Sequence, residues 1–167
     1  VNPLPTVSIT GNTSVCAGAN TTLTATGGGT YAWSNGATLA NITVTPTTTT
    51  TYTVTVTSTN GCTQTASATV VVNPNPVVTI SGSTVICGGS TTLTANGGTS
   101  IVAYTWSNGV NTASNTVTAA GTYTVTVTSN VGCTATASVT VSNVGNTVTA
   151  VNNGPICQGG TATLGAT

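Results

Sequence analysis

The stretch TYTVTVTSTNGCTQTASATV, beginning at Thr51, comes back at Thr122 as TYTVTVTSNVGCTATASVTV. Other pieces keep the same step of about 71 positions. VNPLP at Val1 returns as VNPNP at Val72, and YAWSNGA at Tyr31 returns as YTWSNGV at Tyr104. CAGANTTLTA from Cys16 returns as CGGSTTLTA from Cys87 and again as CQGGTATLGA from Cys157. Self-similarity at a fixed period is the mark of tandem copies of one structural unit. The expected division is 1–72, 73–142, and the opening of a third unit over 143–167. That third piece ends before any equivalent of the Trp or TYTVTV segments, so by itself it lacks the residues for a core. Completion by further chain is the preferred expectation, and completion by a neighbouring molecule is the alternative.

Within a unit the local signal has period two. In Thr51 to Ser58, Tyr52, Val54 and Val56 share one face while the threonines take the other. Ala66, Ala68, Val70 and Val72 alternate in the same way, and Thr21 to Thr26 and Tyr31 to Trp33 give two more strands. Gly27 to Gly29, Ser34-Asn35-Gly36 and Asn60-Gly61 supply turns. Six or seven short strands at this spacing, with no helical periodicity, predict an all-β fold and specifically a β-sandwich. With no Phe and no Met, the core must come from Val, Ile, Leu and Ala around a few rings. Trp33 and Trp106 are expected to pin it, with Tyr52 and Tyr123 opposite.

The chemistry open to the chain is narrow. It contains no Asp, Glu, Lys, Arg or His, where an ordinary soluble chain is about a quarter charged. No carboxylate or imidazole serves as a general base, and no base activates the abundant hydroxyls. An enzyme is therefore not expected, nor a metal site, nor a cofactor. Nucleic acid is not an expected partner, because its binding rests on cationic contacts to phosphate. No apolar run approaches the ~20 residues of a membrane-crossing helix, and no signal peptide is read at the start. Zero net charge also leaves nothing to repel neighbouring copies. Disorder, the usual fate of polar low-complexity chains, is opposed by the β-branched content and the strict alternation.

The pattern VCAG, TTLTATGG, YAWSNGA, TYTVTVTSTNGCT and ATVVV resembles the Ig-like repeats of large secreted Bacteroidota surface proteins, among them gliding-motility adhesins and arrays bearing type IX secretion signals. The resemblance covers nearly the whole chain. It implies tandem immunoglobulin-like β-sandwich modules and an extracellular or cell-surface stalk or filament. Members of that group usually carry some Asp and Lys; this chain has none, so no acidic calcium site is expected of it by the resemblance.

Cys16 and Cys62 stand as far apart in the first copy as Cys87 and Cys133 do in the second. Cys157 begins a third pair whose partner lies outside the sequence. With no CxxC, no His and no cation to acidify a thiol, disulfides in an oxidising compartment are the expected state. Two connectivities remain open. Pairing within modules gives Cys16–Cys62 and Cys87–Cys133. If the topology is of immunoglobulin type, however, Cys16 and Cys62 fall at opposite poles, about 26 Å apart for eight residues, beyond the ~7 Å limit for a disulfide. The alternative is a bond between modules, Cys16–Cys133, with Cys87 taking a cysteine of the third module.

Two functions follow as expectations. The first is a structural segment of an extracellular filament, stalk or adhesin fibre, whose partners are copies of itself or continuing modules of the same chain. The second is a carbohydrate-binding or surface-binding module, in which Tyr31 and Tyr104 would stack on surface glycans.

Overall fold

The computed structural model describes residues 2–87, 89–98, 100–144, 150–152 and 164–166. Among these, the first copy contributes seven strands: β1 (Ile9–Gly11), β2 (Ser14–Cys16), β3 (Thr21–Ala25), β4 (Thr30–Trp33), β5 (Asn41–Val44), β6 (Thr50–Thr57) and β7 (Thr63–Asn73). One sheet has the order β1-β3-β5 and the other β2-β7-β6-β4. All pairings are antiparallel except β2 on β7, which runs parallel. A first strand split between two sheets, with the parallel piece lying on the last strand, makes this an immunoglobulin-like β-sandwich.

The alternation read from the sequence builds its core. Val54 and Val56 of β6 are fully buried, and Tyr52 nearly so. They pack with Leu23 and Ala25 of β3, Ile42 and Val44 of β5, Trp33 of β4 and Val70 of β7. The threonines between them face outward and pair across strands in register. Thr51 and Thr69 hydroxyls lie 2.8 Å apart, as do Thr53 and Ser67. The outer face is thus a ladder of hydroxyl pairs, the cross-strand contact that Thr and Ser offer in place of charge pairs.

The second copy repeats the plan with β8 (Thr79–Ser81), β9 (Val85–Ile86), β10 (Thr91–Asn96), β11 (Ile101–Trp106), β12 (Ser114–Val117), β13 (Gly121–Ser129) and β14 (Thr134–Asn143). Its sheets are β8-β10-β12 and β11-β13-β14-β9, again with a parallel pairing of β9 on β14. Leu93, Trp106, Val125, Val127 and Val141 fill its interior. Tyr123 departs from the expected core role. Its ring is only half-buried, and its hydroxyl donates to the carbonyl of Ala119 at 2.9 Å. That contact ties the start of β13 to the loop before it, in the manner of a tyrosine corner.

Two compact units form, one of Val1–Val77 with Gly97–Ala103 and Val127–Ala135, the other of Val78–Asn96, Tyr104–Thr126 and Thr136–Thr167. Of the third repeat expected over 143–167, the described part beyond Val144 is a short antiparallel pair, β15 (Ala150–Asn152) on β16 (Leu164–Ala166). Cys157 lies outside the described residues. No helix of the described residues is long and apolar enough to cross a membrane.

Candidate functional site

The sequence marks three groups of residues: the aromatics of the YxWSNG motif, the hydroxyl-rich strands and the cysteines. The motif is accounted for by folding. Gly36 N–H donates to Trp33 C=O and Trp33 N–H to Ala37 C=O, both at 2.9 Å. This turn needs a left-handed residue, and Gly36 supplies it at φ +85°. Ser34 clasps the neighbouring strand: its N–H donates to Thr53 C=O and its Oγ accepts from Thr53 N–H. The Trp33 indole N–H reaches forward to Leu39 C=O at 2.8 Å. The second copy repeats every one of these contacts, with Trp106 Nε1 donating to Thr112 C=O at 2.9 Å. Both indoles are buried. Tyr31 and Tyr104, expected as glycan platforms, are half-buried, and Tyr31 packs against the core of the first sandwich. No pocket opens among the described residues.

The cysteines are where the two copies meet in covalent chemistry. Cys62 and Cys133 occupy the same loop, one between β6 and β7 and the other between β13 and β14. In the first, Ser58 N–H donates to Cys62 C=O at 2.8 Å and Cys62 N–H donates back to Ser58 Oγ at 3.1 Å. Ser129 and Cys133 make the same two bonds at the same lengths. Gly61 and Gly132 turn both loops at φ +79° and +81°. The serine at the loop entry and the glycine one residue before the cysteine therefore set its position.

Cys16 is bonded to Cys133, with Cα atoms 5.6 Å apart and 117 residues of sequence between them. Cys62 and Cys87 carry no disulfide. The pairings within modules, Cys16–Cys62 and Cys87–Cys133, are therefore not the ones formed. The reason lies in the parallel strand. Cys16 faces Asn73, the last residue of β7, while Cys62 immediately precedes Thr63, its first. The 11 residues of β7 hold the two ends about 33 Å apart, several times what a disulfide spans. In the second copy, β14 keeps Cys133 and Cys87 apart in the same way, since Ile86 faces Asn143 at the strand's far end. The Cys16–Cys133 bond and the loop 127–135 both belong to the first compact unit. Persistent disulfides are the chemistry of oxidising compartments, which include the cell surface and the extracellular space.

No family model and no curated protein matches the sequence. Among solved structures, the crystal structure of murine CEACAM1b aligns with 83% of this chain and 100% of its own, at 15% identity and a TM-score of 0.38. The crystal structure of DIP-gamma IG1+IG2 aligns with 84% of this chain and 98% of its own, at 13% identity and a TM-score of 0.36.

Proposed function

We propose that this chain is a structural repeat segment of an extracellular filament, stalk or surface fibre, built from modules at 1–72, 73–142 and one opening at 143, and that it performs no catalysis. The observation that carries the reading is the Cys16–Cys133 bond. A disulfide within one module would only stabilise that module. This one fastens the first repeat to the second, which is the useful arrangement when the load is tension along the chain. Pulled from its ends, the protein passes force through the bond, and the 117 residues of sequence separation are relieved of it.

The surface supports the same reading. Hydroxyl ladders on β6 and β7, and on β13 and β14, present donors and acceptors without charge. Contacts between such surfaces gain nothing from Coulomb attraction and lose nothing to screening. Strand edges also lack the lysines that ordinarily discourage sheet-to-sheet association. Electron microscopy of the native material in low and in high sodium chloride tests the proposal. Long fibres with a regular axial repeat, unchanged between the two conditions, are expected. Isolated short particles, or fibres that dissolve as salt rises, would refute it.

A further inference from the structure

We infer that Cys62 is a covalent docking site for another module of the same polypeptide, namely the Cys16-type cysteine of a repeat unit preceding this segment. The inference rests on the structural reading above and adds the partner and the bond.

Three observations converge on it. First, the loop holding Cys62 matches, bond for bond, the loop holding Cys133, whose thiol is already spent on Cys16. Two cysteines presented identically differ only in whether a partner stands opposite. Second, the Cys62 thiol donates to the carbonyl of Asn2 at 3.9 Å. Asn2 is the repeat equivalent of Asn73 in the pair VNPLP and VNPNP, and Asn73 is the residue that Cys16 faces across the parallel pairing of β2 on β7. A strand laid against Asn2 in that register would bring its cysteine to the Cys62 thiol. Third, the other end carries the complement. β9 pairs with β14 in the register shifted by one repeat, Val85 on Ser142 and Ile86 on Asn143, and Val144 N–H donates to Ile86 C=O at 3.3 Å. Cys87 follows that pairing as Cys16 ends its own, and it is exposed. Each module thus offers one cysteine forward and one backward.

The step balances as thiol–disulfide exchange. The two thiols give up two protons and two electrons to a small-molecule disulfide, which leaves as two thiols while one S–S bond forms between modules. Oxidised glutathione serves as that acceptor in the test.

The decisive protein is the whole chain with residues 1–71 repeated once ahead of Val1, which keeps the repeat in frame. It is refolded in a glutathione buffer, and its linked peptides are mapped by mass spectrometry without reduction. The expected result is a bond from the added copy's Cys16-type cysteine to Cys62, with Cys16–Cys133 retained. A Cys62→Ser version should lose the new bond alone. The inference falls if Cys62 stays a thiol while Cys16–Cys133 forms, or if it pairs with the added copy's Cys62-type cysteine. It also falls if the unextended chain, oxidised by itself, joins Cys62 to Cys87 of another molecule, since the partner would then be a separate copy. Fibres that persist in the micrographs alongside any of these results would leave the structural reading standing and remove only this joint.

Discussion

The two copies place the same skeleton around interiors that differ at several points, two of which bear on polar groups in or near the core. Leu23 and Leu93, Trp33 and Trp106, Val54 and Val125, Val56 and Val127, and Val70 and Val141 are buried pairwise. Where the first copy buries Ile42, the second buries Asn115, which is 1% exposed. Asn115 survives there because Asn108, of the WSNG turn, exchanges two amide hydrogen bonds with it at 3.1 Å each. In the first copy the matching Asn35 accepts instead from the N–H of Ala37 in its own turn. The second difference is Tyr52, buried in the first copy, against the half-buried Tyr123 with its bond to Ala119. A shared apolar skeleton and a shared turn fix the sandwich, and one core position can turn polar where a turn residue supplies its partner.

The largest contrast between the copies is in their cysteines, and breaking Cys16–Cys133 should have the largest effect. In single-molecule stretching from the chain ends, reduction should release the 117 residues of sequence separation, adding about 400 Å of extension at ~3.5 Å per residue. In denaturant, reduction or a Cys16→Ala/Cys133→Ala chain should lose on the order of 3–5 kcal/mol by loop closure. Cys62→Ala in the unextended chain should change neither reading. An equal extension with and without reductant would show that the bond carries no force.

Exchanging the residues that distinguish the cores should come next. Asn115→Ala removes the buried amide and its pair, and should cost about 1–3 kcal/mol. Asn115→Ile, copying the first module, should lie within about 1 kcal/mol of the parent, because Asn108 is exposed and recovers water. Ile42→Asn should cost about 1–3 kcal/mol, and adding Asn35→Ala should deepen the loss by about 1 kcal/mol. Guanidinium unfolding followed by tryptophan fluorescence measures each variant. If the Asn35→Ala step adds nothing, the turn amide does not rescue a polar core in the first copy.

Strand positions and their buried faces were legible because Thr–Val alternation is a local signal, and Tyr52, Val54 and Val56 fall inward as that pattern requires. The WSNG turn was legible as a turn, but not the clasp of Ser34 on Thr53, which depends on a strand 19 residues away. The cysteine connectivity stayed open for a related reason. It turns on β2 running parallel to β7, and nothing in the three residues of β2 announces that direction. The Asn108–Asn115 pair is not legible either, since an asparagine in a chain so rich in asparagine carries little signal until its burial is known.

The smallest effect expected is none, and it is the sharpest control on the comparison. Stability varies with pH only where folded and unfolded chains bind different numbers of protons. Asp, Glu and His, the side chains that ordinarily titrate between about pH 3 and 7, are absent from both copies. No folded-state pKa of theirs exists to be raised or lowered, so neither sign of dependence arises in that window. The unfolding midpoint of the parent chain, and those of the Ile42→Asn and Asn115→Ile variants, should therefore coincide at pH 4 and pH 7. They should also coincide between dilute buffer and moderate sodium chloride, since the sequence has no Asp, Glu, Lys, Arg or His side chains whose pairing salt would screen. A midpoint that moved for one exchange and not the other would mean that the copies differ electrostatically. The contrast between Ile42 and Asn115 would then no longer reduce to packing and hydrogen bonding.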